Sequence, residues 1–256
     1  MNDGLPYFSQ WGSRQRNDHV VVRRTDPSTV EAVLRDIDSR YDWRSDGYSS
    51  RAEYLFWSRK LCGLACLQSL LHGWTDTRLS MGALLTLALD RGCYTVEPSG
   101  KVHGLFYRPF MAWIDAQFGF RCELVERTTI EVSARRIGPG RVMIASVSPE
   151  IREPATKNPL RGGHLVLIHA VHDGVVRFHD PSGYTSNSES ASLPIPVFER
   201  FHADRGIVIS SRETAESAAA EPIRRASSCP VCAHRACFDS AWPKGMQVAS
   251  ARHSGD

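Results

Sequence analysis

The sequence has no apolar run long enough to span a bilayer, and Met1 to Pro6 lack the basic and apolar blocks of a secretion signal. A cytoplasmic location is the expectation that follows. There is little charge of one sign: 31 basic against 28 acidic residues leave a formal net charge of +3, which implies no nucleic acid or other polyanion as partner. Seven cysteines are an odd number, and without a secretion pattern they argue for reduced thiols and against a disulfide framework. What remains is the composition of an ordinary globular protein, at 42% hydrophobic and 23% charged residues. A chain of 256 residues can bury a substantial core in one large or two small domains.

One stretch stands out, Leu61-Cys62-Gly63-Leu64-Ala65-Cys66-Leu67-Gln68-Ser69-Leu70-Leu71. Leu64, Leu67, Leu70 and Leu71 fall on one stripe of a helix. That spacing puts Cys62 in the first turn, where unpaired backbone N–H groups and the helix dipole stabilise an anion such as a thiolate. Gly63 leaves room for a close approach by another chain or a substrate. The competing reading makes both cysteines small buried hydrophobes. A nucleophilic role needs a histidine and an acid from elsewhere.

Both occur about a hundred residues on. Gly162-Gly163-His164-Leu165-Val166-Leu167-Ile168 and Val175-Val176-Arg177-Phe178-His179-Asp180 flank an Asp173-Gly174 pair, the signature of a β-hairpin. His164 opens the first strand and Asp180 closes the second, so folding brings them to the same end. The face is open. A strict two-residue turn pairs position 167 with 180 and sets His164 on the opposite face from Asp180. A three-residue loop over 172–174 pairs 166 with 180 and sets them on one face. Thiol chemistry favours the second register, since the imidazole must serve the sulfur while a carboxylate fixes its tautomer.

Cys-Gly-Leu-Ala-Cys-Leu, then Gly-His-Leu-Val-Leu and Asp-Pro-Ser-Gly, resembles the papain-like cysteine peptidases that process bacteriocin precursors after a double-glycine leader, in their stand-alone form without a transporter. The resemblance implies an α+β fold. Its helical N-terminal half carries the nucleophile at a helix N-terminus, and its antiparallel β half carries the histidine and aspartate. It implies Cys62, not Cys66, as nucleophile, His164 as base, and Asp180 as the residue orienting it. The family's oxyanion glutamine is absent at position 56, which is Phe56. The segment Leu5-Pro6-Tyr7-Phe8-Ser9-Gln10-Trp11 matches where stand-alone members carry it, which makes Gln10 the candidate. The domain is then expected over 1–210 with an inserted segment at 12–55, and a peptide or peptide-like substrate is expected with no cofactor.

Elsewhere the pattern predicts a docked arm over 1–17, a strand at 19–23 and a helix over 27–38. A solvated loop is expected at 39–50, with a substrate-facing flap as the alternative, and helices over 80–91, 111–117, 130–136 and 197–202. Strands are expected at 121–125, 142–147 and 206–209. The loop from Pro149 to Gly163 is expected to rim the cleft. His103 is a rival base. His169, His172 and His179 crowd the hairpin, but their spacing matches no helical metal pair. Beyond residue 211 the composition turns polar, as in a mobile tail. There Cys229, Cys232, His234 and Cys237 form a candidate zinc set, with a redox pair or incidental cysteines as alternatives. The function expected is thioester chemistry on a peptide or amide, ending in hydrolysis or in acyl transfer. The alternative is a catalytically silent peptide-binding module.

Overall fold

Ser50 starts the first described helix. Its hydroxyl accepts the Glu53 backbone N–H, and the Glu53 carboxylate reaches back to Ser49. In this computed structural model, residues 4–12, 43–157, 159–182, 188–212 and 214 are described, all within the unit Met1–Ser217. Helix α1 (Arg51–Trp57) leads through a 3-10 turn, Ser58–Lys60, into α2 (Cys62–Trp74). The expected leucine stripe of α2 is fully buried, and so are Leu61, Ala65 and Gln68. The helix is enclosed nearly all round because α3 (Met81–Asp90), the α1 aromatics and the sheet surround it. Each buried leucine contributes about 2 kcal/mol, so this helix anchors the core.

A short hairpin, β1 (Tyr94–Val96) and β2 (Val102–Gly104), follows. Helix α4 (Tyr107–Phe118) begins earlier than the apolar pattern suggested and ends at Gly119, whose φ of 72° supplies a left-handed cap. Then come β3 (Arg121–Glu126), α5 (Ile130–Ala134), β4 (Arg141–Val147), β5 (His164–His172), β6 (Val175–His179), β7 (Ala191–Pro194), α6 (Ile195–Glu199) and β8 (His202–Ser210). The six longer-range strands form one antiparallel sheet in the order β3-β8-β4-β5-β6-β7. Alternation sorts its two faces. Ile144, Leu165, Leu167 and Ile207 pack toward the helical half, whereas Met143, Ala145, Val166 and Ile168 pack with Phe198 and Phe201. Among the described residues, no helix is long and apolar enough to cross a membrane.

Three expectations are corrected. The helix expected over 197–202 is Ile195–Glu199, since prolines 194 and 196 pre-set its first turn. Strand β8 then starts at His202 and not at 206, because His202 pairs with Val147 of β4 past a register shift and Arg205 pairs with Glu126 of β3. Neither β7 nor the β1–β2 hairpin was expected. Of the other predicted elements, those at 19–23 and 27–38 lie outside the described residues.

The β5–β6 register corrects the third expectation. The turn is the strict two-residue one, with His172 opposite Val175 and positive φ at Asp173 (50°) and Gly174 (72°). That register would separate His164 from Asp180. A β-bulge intervenes: Ala170 pairs with Arg177 but Ile168 pairs with Phe178, so His169 is the extra residue. Beyond the bulge Leu167 faces His179, the last pair of the ladder, and Asp180 follows directly. The bulge, and not a longer loop, shifts the strands by one residue, and His164 and Asp180 meet at that end of the hairpin in a side-chain hydrogen bond.

Candidate active site

Cys62 is the first residue of α2, and its thiol meets the sheet where β5 begins. Gly63 makes that approach possible, since a Cβ there would lie 2.8 Å from Leu105 and 2.9 Å from Leu165. Gly162 and Gly163, with φ of 81° and 94°, turn the chain into β5 through conformations that side chains rarely adopt, and they deliver His164 to the sulfur. A 2.7 Å hydrogen bond joins His164 Nε2 to Asp180 Oδ1, leaving the other ring nitrogen for Cys62. Both side chains of this pair are 5% exposed.

Asp180 is itself held from several sides. Its backbone N–H donates to the Ser188 carbonyl at 2.8 Å, and its Oδ1 also accepts the Ser182 backbone N–H at 2.9 Å. Arg152 Nε lies 3.6 Å from Oδ2. Burial works against its charge, but His164, Arg152 and the Ser182 N–H together hold the carboxyl well below its usual range. Burial also opposes charge on His164, yet the Asp180 carboxylate outweighs it and pushes the imidazole up to about 9. For Cys62, burial raises the thiol pKa. The hydrogen bond and charge of His164, with the Leu165 and Gly63 backbone N–H groups, more than offset that and lower it. The Arg152 and Leu165 contributions carry no sequence signal, because each reads locally as an ordinary loop or strand residue.

Residues 4–12 bring Gln10 to the same place. The Tyr7 hydroxyl donates to the Asp180 carbonyl at 2.9 Å, the Gln10 N–H to Pro181 O at 2.7 Å, and Trp11 Nε1 to Ser182 O at 2.7 Å. On the other side, the Tyr54 hydroxyl donates to Trp11 O, and Leu5 packs on Gly73 of α2. The segment thus ties the Asp180 turn to the helical half. Gln10 is buried and lines a cleft of about 1100 Å³ together with Cys62 and His164. Pro149, Arg152 and Gly163 line the same cleft, which puts the expected loop at its rim.

The remaining histidines are elsewhere. His103 pairs with Glu97 on the β1–β2 hairpin. His172 is exposed at the turn beside Asp173. His169, the bulge residue, is buried against His179 with ring centroids 4.7 Å apart; burial drives its pKa down to about 4. Among the described residues, one grouping could hold a metal, Glu199, His202 and Asp204, and it includes none of the hairpin histidines. The candidate zinc residues Cys229, Cys232, His234 and Cys237 lie outside the described residues.

No family model matches the chain, and no curated protein matches it. In fold it is similar to a double glycine motif protease from an AMS/PCAT transporter, solved in complex with the leader peptide. The TM-score is 0.39 at 14% identity, covering 59% of this chain and 84% of that one. It is similar also to the peptidase domain of Streptococcus ComA, a bi-functional ABC transporter, with TM-score 0.38, 10% identity and coverage of 58% and 90%. A third is a putative C39-like peptidase from Bacillus anthracis, with TM-score 0.42, 13% identity and coverage of 58% and 87%.

Proposed function

We propose that the chain is a cysteine peptidase that works through a thioester on Cys62. The observation that carries this reading is the 2.7 Å His164–Asp180 hydrogen bond, buried beside a thiol acidified in spite of its own burial. His164 takes the Cys62 proton and the thiolate attacks the carbonyl carbon of a peptide bond. The oxyanion is held by the Cys62 backbone N–H and the Gln10 side-chain amide; such a donor is worth about 3 kcal/mol. As the C–N bond breaks, His164 returns the proton to the leaving amine. Water, deprotonated by His164, then attacks the thioester, which releases the acid and restores the thiol. An amine in place of water would form a new amide by the same steps. A peptide is the substrate class that the motif resemblance implies.

The test is alkylation of Cys62 by iodoacetamide against pH, resolved from Cys66 by mass spectrometry, in wild type and His164→Ala. Rapid reaction below the ordinary thiol pKa of about 8.5, slowed in the variant, supports the peptidase. Ordinary reactivity that ignores His164 would overturn it and favour a silent peptide-binding module.

A further inference from the structure

Overall the chain is close to charge balance, with 31 basic and 28 acidic residues. The cleft is not. Among the described residues that line it, Arg59, Lys60, Arg108, Arg152 and Arg205 are cations and Glu126 is the single carboxylate. Arg152 is matched by Asp180, and the Lys60 ammonium rests on the Phe56 carbonyl and ring. Arg59, Arg108 and Arg205 are exposed and engage no acceptor among the described residues. Glu126 stands opposite Arg205 across the β3–β8 ladder without forming an ion pair. These cations arrive from separate segments: the turn before α2, the first turn of α4, and β8.

The walls between them are apolar. Trp11, Tyr94, Leu105 and Phe106 line the cleft, and Phe106 is 40% exposed there. Low-dielectric walls concentrate the field of surrounding charges into a cleft and raise the local concentration of the opposite ion. The Cys62–His164 pair adds no net charge, because a thiolate beside an imidazolium sums to zero. A cationic rim with no internal partner is costly to leave unanswered once a substrate excludes water from it.

We propose that the substrate of this cleft is an acidic peptide, with aspartate or glutamate side chains near the scissile bond recognised by Arg59, Arg108 and Arg205. The inference rests on the cysteine-peptidase reading and narrows its substrate class. Guanidinium forks suit carboxylates because they donate two parallel hydrogen bonds.

The experiment compares two alkylating agents of similar size on Cys62, anionic iodoacetate and neutral iodoacetamide. Their rate ratio is read by mass spectrometry in wild type, in Arg108→Glu/Arg205→Glu and in the double Lys variant. A ratio cancels changes in thiol acidity or in the folded fraction. The ratio is expected to fall about 3- to 10-fold in the Glu variant and at high salt, and to be retained with Lys. A second measurement digests a mixed peptide pool and identifies the product termini, with Asp and Glu expected to be enriched around the cuts. Slow, His164-independent alkylation by both reagents would overturn the peptidase reading and this inference with it. Fast alkylation whose ratio ignores Arg108, Arg205 and salt, or cuts with no acidic enrichment, would overturn this inference alone.

Discussion

Cys62 and Cys66 sit one turn apart on α2, and the protein treats them oppositely. Both lose solvent, and burial alone pushes any thiol toward its neutral form. Cys66, 1% exposed, rises well above the ordinary thiol value, with Cys62 and Asp180 adding to the effect of burial. Cys62 falls, because His164 and two backbone N–H groups act on it. Membership of the helix is common to both residues, so it does not by itself make a nucleophile. Two things differ: Cys62 has the first-turn Gly63 N–H, and it meets the start of β5 through His164 and Leu165, whereas the second turn is sealed in the leucine core.

Removing the sheet's contribution should therefore make Cys62 behave as Cys66 does. His164→Ala is expected to slow alkylation of Cys62 near pH 6 by about 10²- to 10³-fold, since the thiolate fraction falls tenfold for each unit of raised pKa. Rates taken by mass spectrometry on both cysteines check this directly. If Cys62 stays fast while Cys66 stays slow, the difference lies in the helix terminus after all.

Asp180→Asn tests the next link outward. His164 carries a pKa raised to about 9, so its charge adds stability that is full below its ordinary 6.5 and lost as pH rises through about 9. Asp180 is depressed, so its contribution is present above its ordinary 3.8 and lost only as pH falls through a lower value. The variant removes the charge that raises His164 and strands Arg152. Its melting temperature should therefore fall most below wild type between pH 5 and about 6.5, and the gap should narrow toward pH 10. Thermal melts across pH 5 to 10 read this; a gap independent of pH would mean that the pair is not ionised in the folded protein. Gln10→Ala is expected to act on turnover and not on the thiolate. Peptide cleavage should drop about 10²-fold while the pH profile of Cys62 alkylation is kept. A shifted profile would make Gln10 a packing residue of the segment 4–12.

The sequence exposed the ends of this arrangement better than the links between them. Cys62 and the leucine stripe of α2 were legible because a buried helix imposes a strong period. His164 and Asp180 were legible as the two ends of one hairpin. The register joining them was not: it depends on the bulge at His169, a single extra residue that leaves no trace in an alternating apolar run. Gln10 was found through the motif resemblance alone, as no local pattern connects a segment at 4–12 to a helix at 62. Arg59, Arg108 and Arg205 each read as unremarkable surface residues, and only the tertiary fold gathers them at one cleft.

The smallest effect belongs to the other cysteine. Cys66 is fully enclosed and its thiol is held neutral, so it places no charge near Cys62, and nothing in the acidity of Cys62 derives from it. Cys66→Ala removes one buried sulfur from the leucine core and should cost about 1 kcal/mol of stability, visible as a small drop in melting temperature. Alkylation of Cys62 should stay within about twofold of wild type at every pH, because His164 and the Leu165 and Gly63 N–H groups set its ionisation and the packing one turn below does not. A tenfold slowing would locate the control of the thiolate in the core beneath it, and the contrast between the two cysteines would then be one of packing and not of partners.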